Sequence, residues 1–439
     1  MTRGAQPTAA AITFAATAIG YALWLCPSLY WLDSGELAAA SFELGIAHAP
    51  GQPLAMLLGK LMCSVPLGSV PLRVGLGQVL CGAGAAAVLA ALGARLAAEL
   101  IEDPAVQRAL GVACGLGYAG SYAAAFQAIR PEVYALSALL VLGAIAFAIR
   151  FVDEQRPGDL GWCGLCLGLG LANHHYLTVL GAGPPLLALL ARRADAALRA
   201  GLRRAALGML GGLVPYVYLP LRAAHDPVFD WGHPTSVAAF VWTVSARSFH
   251  KSVSLGHQLE LAPLLGALLE QLTPVAPLVA LAGLYLLVRR AARLAAMLLL
   301  MLAGPILARV LVPFDARNPD AFAYLSTAIA ALALLCVPLV AALAAPLPGR
   351  ARRLVATVAC GLCGMASAWR AHGFSLARFD EVRPLYAGVL DAVPPETTVV
   401  PSYFQSTFTI DALRVLDGLR PDLSYLPRHR LDHPGAAPA

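Results

Sequence analysis

The stretch Trp31–Pro53, WLDSGELAAASFELGIAHAPGQP, is the segment around which the rest of the chain is organised. It follows the first apolar segment directly, and within sixteen positions it holds three acids and one histidine: Asp33, Glu36, Glu43 and His48. A helix that begins near Ser34 would place positions 33, 36, 40 and 43 on one face. We therefore predict a short surface helix with an acidic edge, ended by Gly45 and followed by a stiff turn at residues 48–53.

The same residues also fit a purely structural role. In a capping box, Asp33 would be the N-cap of the helix and Glu36 would reach back to the backbone amide of Asp33. The local sequence is compatible with both interpretations, so the positions of the other polar residues have to decide between them.

Composition places the chain in the membrane. Of its 439 residues, 59% are hydrophobic and only 13% are charged, and the mean hydropathy is +0.70. A soluble domain is about 25% charged, and a bilayer crossing needs about 20 apolar residues. We predict an all-α polytopic membrane protein of about eleven crossings, at 8–27, 72–101, 106–126, 132–152, 159–173, 176–191, 203–221, 262–288, 294–313, 321–345 and 353–370.

Arginines indicate the orientation. If the first apolar segment is an uncleaved helix with a cytoplasmic N-terminus, every inner loop is basic, as the positive-inside rule requires. The C-terminus then lies outside the cytoplasmic membrane, and the net charge of +6 reflects topology, so we expect no nucleic-acid partner. The inner-loop arginines are Arg95, Arg108, Arg150, Arg156, Arg192, Arg193, Arg199, Arg203, Arg204, Arg289, Arg290, Arg293, Arg350, Arg352 and Arg353.

Two regions follow from this topology. Residues 1–370 form the transmembrane domain, with a first outer loop at 28–66 and a long outer loop at 223–261. Residues 371–439 form a short extracytoplasmic region with a strand-like stretch at 397–400 and a disordered end at 434–439. The nine cysteines lie mostly in apolar segments, so we interpret the two Cys-x-x-Cys pairs as small buried residues rather than as zinc or redox sites.

Polar residues collect at the predicted outer ends of the crossings. Ionisable groups near a membrane tend to face a wet cavity and to mark function, so we predict one site at this face. Besides Asp33 and Glu36, its candidate members are His48, Arg130, Glu132, Tyr134, Asn173, His174, His175, Arg222, Asp230 and Trp231.

Simpler roles remain open for several of these residues. Arg222 could extend to the interface, Glu132 could pair with Arg130 to close a turn, and His174 with His175 could cap a helix or bind a metal.

These residue types suit sugar transfer from a lipid phosphate. Arginine or protonated histidine can neutralise the phosphate that leaves, and a carboxylate can take the proton of an attacking hydroxyl. The donor is already activated by its lipid phosphate, so no nucleotide-binding loop is needed.

Five motifs carry a family resemblance: WLDSGELAAASFELGIAHAPGQPLAMLLGKL, EVYALSAL, LANHHYL, YLPLRA and FDWGHPTS. In this order they resemble the bacterial relatives of the transmembrane O-mannosyltransferase that modifies receptor immunoglobulin-like domains, a group similar to the GT-C glycosyltransferases. The resemblance implies a polyprenyl- or dolichyl-phosphate sugar donor, with Asp33 as catalytic base and Glu36 as its companion. Ala49 and Gln52 depart from the usual His-Pro-Pro-Gly-Tyr-Pro turn, and His233 stands where an acid is common.

The sequence thus favours an inverting membrane glycosyltransferase of the cell envelope that moves a sugar, mannose by the resemblance, to a protein or glycan hydroxyl outside the cytoplasmic membrane. It predicts no metal ligands, although a divalent cation would be compatible with the site. A transporter or flippase of a lipid-linked or anionic solute is the alternative, because such proteins also bind anions between helices. A non-catalytic envelope scaffold is the third hypothesis.

Overall fold

A computed structural model describes residues 4–191, 196–252, 261–273, 275–310, 314–401 and 403–426. As predicted, this part of the chain is almost entirely helical. The α-helices are α1 Ala5–Trp24, α2 Ser34–Glu43, α3 Pro53–Cys63, α4 Val70–Ala97, α5 Pro104–Ala119, α6 Tyr122–Ala128, α7 Tyr134–Glu154, α8 Pro157–Leu190, α9 Ala196–Gly212, α10 Tyr218–Ala223, α11 Val237–Val244, α12 Leu261–Gln271, α13 Ala276–Arg290, α14 Ala292–Leu307, α15 Pro319–Ala323, α16 Ser326–Ala344, α17 Gly349–His372, α18 Val382–Asp391 and α19 Phe404–Asp417.

Short elements complete the described chain. Three 3₁₀ segments lie at Val214–Val217, Arg247–Ser252 and Ala308–Val310. Strand β1, Thr398–Val399, lies in the stretch predicted to be strand-like and pairs in parallel with β2, Ser424–Tyr425. The predicted disordered end at 434–439 lies outside the described residues.

Helix starts follow the local sequence. The Ser69 hydroxyl accepts a hydrogen bond from the Leu72 amide at the start of α4, and the Asp103 carboxylate accepts one from the Ala105 amide at the start of α5. Proline occupies the first helical position of α5 and α8, where its missing N–H costs nothing.

Several helices are long and apolar enough to cross a membrane. Among the described residues five qualify singly, namely α1, α4, α7, α16 and α17, and the number rises to seven if the bent pairs α5–α6 and α12–α13 each count as one span. The predicted count of eleven is not confirmed. The predicted crossing at 203–221 is divided between α9, a 3₁₀ segment and α10, and the one at 294–313 ends in residues outside the described part.

The two crossings predicted at 159–173 and 176–191 both lie within helix α8 and are joined by a sharp bend without a loop. His174 has non-helical backbone angles (φ −149°, ψ 92°), and a Cβ added at Gly170 would lie only 2.7 Å from the Thr178 hydroxyl. The chain therefore folds back on itself at His174. The two arms correspond to the segments predicted at 159–173 and 176–191.

The buried hydrophobic residues form two main clusters. The larger one fills the space between the long helices. The second, which we call the loop core, joins α2, the turn at 46–49, residues around Trp231, and α19. The loop core brings stretches that are distant in sequence to one end of the molecule.

Helix α2 is a buried helix, and the prediction of a surface helix is wrong. All residues from Ser34 to Ser41 are buried, because α19 of the C-terminal region packs directly on α2. Gly35 permits this contact, since a Cβ there would lie 3.1 Å from the Phe408 carbonyl oxygen. The C-terminal region therefore packs on the first loop, although the sequence pattern of α2 does not indicate that another helix buries it.

Candidate functional site

A cavity of about 730 Å³ opens beside the loop core, within the 300–1,000 Å³ range of small-molecule sites. Polar and aromatic side chains from α7, the α8 bend, the turn at 48–52 and α19 meet there. The cavity is lined by Leu32, Asp33, His48, Ala49, Pro50, Gln52, Tyr134, His174, His175, Tyr176, Trp231, Ser245, Ala246, Phe249, His250, Asn318, Asp320, Tyr324, Phe404, Gln405 and Phe408.

Asp33 stands at the N-terminus of α2 and presents its carboxylate to this cavity. The side chain is 26% exposed, and its Oδ2 lies 3.7 Å from Nε2 of His48. It makes no capping hydrogen bond to α2, so the capping-box interpretation fails. The carboxylate oxygens of Asp33 accept no hydrogen bond from the described residues, so they are available to a ligand.

Glu36 holds His48 rather than Asp33. One Glu36 oxygen accepts a hydrogen bond from the His48 backbone amide at 2.8 Å, and the other lies 2.5 Å from Nδ1 of the His48 ring. Glu36 is only 1% exposed and does not line the cavity. The expectation that Glu36 orients Asp33 or the acceptor directly is therefore corrected, because its carboxylate faces away from the cavity.

The contact with Glu36 favours the protonated, charged form of the His48 imidazole. Burial by itself disfavours the imidazolium, but the carboxylates of Glu36 and Asp33 outweigh burial and raise the pKa of His48 to about 10. Burial also raises the pKa of Glu36, and His48 limits that rise. The ring of His48 is packed against Phe408, at 5.8 Å between centroids, so the cation has a fixed orientation at the cavity wall.

Arg130 lies in a closed ion network behind the cavity. It is 0% exposed and pairs with Glu132 and Asp320, while Tyr30 and Phe126 cover its guanidinium at 5.4 and 4.9 Å. Neither Arg130 nor Glu132 lines the cavity. The predicted contact of these two residues with donor or substrate is therefore corrected to a structural role, because neither lines the cavity and Arg130 already pairs with two carboxylates.

The three polar residues at the α8 bend divide between two roles. Asn173 is buried and donates to the Val133 carbonyl and the Ser137 hydroxyl at 2.9 and 2.7 Å, so it ties α8 to α7 and does not reach the cavity. His174 and His175 both line the cavity, with ring centroids 6.4 Å apart. Nδ1 of His174 accepts a hydrogen bond from the Leu177 amide at 3.4 Å, which leaves its Nε2 to carry a proton.

Arg222 lies away from the cavity, at the C-terminal end of α2. Its Nε donates to the Leu44 carbonyl at 2.6 Å and its Nη2 to the Glu43 carbonyl at 3.3 Å. A cation is favoured at this position because helix C-termini carry partial negative charge. The predicted phosphate contact of Arg222 is therefore corrected to capping of α2.

Two of the remaining predicted residues line the cavity and one does not. Tyr134 and Trp231 are both on the cavity wall. Asp230 lies outside it, where Oδ2 is 2.5 Å from Nδ1 of His233.

Among the described residues, Asp226, Asp230 and His233 are also close enough to share a metal ion, with ligand atoms within 4.8 Å of one another. Asp226 is largely exposed. The short contact between Asp230 and His233 gives this cluster an ion-pair explanation as well.

Several residues that line the cavity were not among the predicted site residues. Tyr324 and the α19 residues Phe404 and Phe408 were not predicted at the site, and Gln52 was noted only as a departure from the family's turn. Arg309, by contrast, has a sequence signal, because it is the single charged residue in the apolar segment predicted at 294–313.

Arg309 is buried, and its guanidinium lies 4.5 Å from the centre of the Tyr324 ring. Its Nε and Nη2 have no hydrogen-bond partner among the residues that the structure describes. Tyr324 lines the cavity, so this unpaired cation lies directly behind the cavity wall.

Comparison of sequences relates part of the chain to a known group. Residues 33–198 match the Protein O-mannosyl-transferase TMEM260 N-terminal domain. The chain is 34% identical over 236 residues to Protein O-mannosyl-transferase TMEM260 of Mus musculus, which is 52% of this chain and 32% of the mouse protein. The matched part thus spans about a third of the length of this curated relative.

Comparison of structures relates nearly the whole chain to membrane proteins of known fold. ArnT from Cupriavidus metallidurans, solved bound to undecaprenyl phosphate, matches with a TM-score of 0.56 and 16% identity over 94% of this chain and 85% of that one. The Archaeoglobus fulgidus oligosaccharyltransferase matches with a TM-score of 0.57 and 10% identity over 94% and 64%. In sequence, residues 33–198 are therefore similar to the TMEM260 O-mannosyl-transferases, and in fold the chain is a multi-pass membrane protein similar to ArnT and the oligosaccharyltransferase.

Proposed function

We propose that this protein is a membrane glycosyltransferase that moves a sugar from a polyprenyl-phosphate donor to an acceptor hydroxyl, with inversion at the anomeric carbon. The observation that carries the proposal is the carboxylate of Asp33, which faces a cavity of about 730 Å³ and accepts no hydrogen bond from the described residues. The similarity to TMEM260 and to ArnT supports both the reaction class and a lipid-linked donor.

Asp33 is the base in this mechanism. A carboxylate within hydrogen-bond reach of a hydroxyl can take its proton as the hydroxyl attacks the sugar, which contributes about 10²–10⁴-fold to the rate. His48, held by Glu36 on its other side, fixes the position of the Asp33 carboxylate by Coulomb attraction at 3.7 Å. Asp320, the other carboxylate on the cavity wall, is occupied by Arg130 and so is a poorer candidate.

The donor phosphate is assigned to the wall formed by His174, His175 and Tyr324. The Nε2–H of His174 can donate to a phosphate oxygen, and Arg309 adds positive charge from behind Tyr324. A buried cation attracts a phosphate more strongly than an exposed one does, because the dielectric constant around it is low. This arrangement stabilises the phosphate as it leaves without any nucleotide-binding loop.

The transporter hypothesis has less support. The polar residues of the cavity lie at the ends of the apolar segments rather than in their middle: Tyr134 is at the start of α7, and His174 is at the turn between the two arms of α8. A transporter places its binding groups near the middle of the membrane, between repeated halves. With the N-terminus cytoplasmic, the cavity would open on the outer side of the cytoplasmic membrane, where a protein or glycan acceptor is available.

Substitution of Asp33 by Asn tests the proposal. The change keeps the size of the side chain and removes its basicity, so we expect sugar transfer to fall about 10²- to 10⁴-fold. The assay uses protein purified in nanodiscs with radiolabelled polyprenyl-phosphate mannose and a membrane extract as acceptor.

Asp315→Asn is the matched control. Asp315 is an exposed aspartate on the loop before α15 and does not line the cavity, so its substitution should leave the rate unchanged. A folded Asp33→Asn protein that transfers sugar at the wild-type rate would remove the base from the mechanism.

A further inference from the structure

Gln52 is a buried polar side chain on the cavity wall with half of its hydrogen-bonding capacity unused. It is 2% exposed, and its Nε2 lies 3.3 Å from Nε2 of His48. Its Oε1 has no hydrogen-bond partner in the part of the chain that the structure describes. Because the charged ring of His48 is a donor at Nε2, it can bond only to the amide oxygen of Gln52; the amide then turns end for end, and its N–H group becomes the end without a partner among the described residues. In either orientation one end of a buried amide has no partner, which lowers the stability of the fold, so its retention at a cavity wall points to a ligand.

The backbone at Gln52 has an unfavourable conformation that places the side chain at the cavity wall. Gln52 has left-handed angles (φ 45°, ψ 47°) at the start of α3, which are unfavourable for a residue with a Cβ. The preceding Gly51 also has a positive φ, and a Cβ there would lie 3.0 Å from Leu219. Such strained residues are concentrated at functional sites.

The His48 ring separates two environments. On its Nδ1 side lies Glu36, buried and outside the cavity. On its Nε2 side lie both Asp33, at 3.7 Å, and Gln52, at 3.3 Å. Asp33 and Gln52 therefore flank the same part of the cavity, and Gln52, 2% exposed, is the deeper of the two because the Asp33 side chain is 26% exposed.

The chemistry of a carboxamide matches a sugar hydroxyl. A carboxamide presents an acceptor at one end and donors at the other, and a hydroxyl both donates and accepts. Whichever end meets the imidazole, the opposite end remains for a ligand, and the terminal torsion of glutamine is soft enough to turn that end into the cavity. Trp231 and Phe408, also on the wall, supply the apolar surface that the C–H face of a sugar ring requires.

We propose that Gln52 binds a ring hydroxyl of the donor sugar and so determines which sugar is accepted. This inference rests on the proposed sugar transfer, because it assigns the deeper part of the same cavity to the donor's sugar. The acceptor hydroxyl, which arrives from solvent, takes the more exposed position at Asp33.

The test compares Gln52→Met with the wild-type protein in nanodiscs on polyprenyl-phosphate mannose and on its 2-, 3-, 4- and 6-deoxy analogues. Wild type should discriminate against one deoxy donor by about 10- to 100-fold in kcat/KM, since a site that binds a hydroxyl rejects the analogue without it. Gln52→Met should lose about the same factor on the complete donor and lose nothing further on that one deoxy donor.

Two further variants control for structural effects. Gln155→Met changes a glutamine that also has left-handed backbone angles (φ 55°) but lies at the end of α7, outside the cavity, and should leave all donors unaffected. Gln52→Glu keeps a side chain of the same shape with acceptor oxygens, and should retain discrimination at the same ring position if Gln52→Met fails to fold.

The outcomes separate the two proposals. Equal losses on every donor, or no loss on any, would overturn the role of Gln52 while leaving sugar transfer intact. A wild-type protein that transfers no sugar from any polyprenyl-phosphate donor would overturn the proposed function and the role of Gln52 with it.

Discussion

Two acid–base clusters lie at the same end of this protein and have opposite surroundings. In the first, Glu36 and Asp33 flank His48, and Asp33 faces the cavity. In the second, Glu132 and Asp320 flank Arg130, and aromatic rings cover the cation. Both clusters contain two carboxylates and one cation, so residue type does not distinguish a candidate base from a structural ion network.

The two clusters differ in which of their charged groups lack a hydrogen-bond partner and face the cavity. In the Arg130 cluster the Nη1 and Nη2 groups bond to Glu132, Asp320 and Gln127, and the Nε that has no partner among the described residues is buried away from the cavity. The His48 cluster leaves the oxygens of Asp33 without hydrogen bonds from the described residues, next to a cavity. A group can act on a ligand only if its partners in the protein do not already satisfy it, and this condition separates the two clusters.

Removal of Arg130 should produce the largest change in stability. Arg130→Met leaves Glu132 and Asp320 buried without their cation, so we expect the free energy of unfolding to fall by about 3–5 kcal/mol. Thermal denaturation of the purified variant measures the loss.

Arg317→Met is its control, because Arg317 forms an exposed pair with Asp315, and it should melt at the wild-type temperature. A stable Arg130→Met protein that fails to bind donor would instead place Arg130 in the binding site.

Removal of Glu36 should change the pH dependence of the first cluster. The pKa of His48 is about 10 in the folded protein, above its ordinary value of 6.5. The pair therefore stabilises the fold fully below pH 6.5, progressively less as the pH rises, and not at all above about 10. In Glu36→Gln the imidazolium loses its nearest carboxylate, so the pKa of His48 should fall.

The measurement is the difference in melting temperature between wild type and Glu36→Gln from pH 6 to pH 10.5. The difference should shrink as the pH rises. A difference that stays constant over this range would mean that His48 is neutral in the folded protein, and the charge assigned to the first cluster would be wrong.

Substitution of Arg222 should have the smallest effect. Arg222→Gln removes the cation that caps the C-terminal end of α2, which should cost about 0.3–1 kcal/mol of stability. The KM for polyprenyl-phosphate mannose should stay at the wild-type value, because Arg222 does not line the cavity. An increase of tenfold or more in that KM would restore the predicted phosphate contact.

The sequence by itself determined the class of the protein. Apolar runs as long as a bilayer is thick leave the chain no soluble alternative, and the first loop already carried Asp33 and His48 within sixteen positions. The two histidines at 174 and 175 were also predicted at the site, because polar residues within an apolar segment have few other uses.

Only the tertiary structure decided which charges face the cavity. Arg130 and Arg222 look alike in sequence as phosphate ligands, but Arg130 pairs with Asp320, 190 positions away, and Arg222 donates to the Leu44 carbonyl at the end of α2, 178 positions away. Tyr324 and α19 also belong to the site only because of contacts between distant parts of the chain. Whether a polar group is satisfied depends on partners that are distant along the chain, and no local pattern records them.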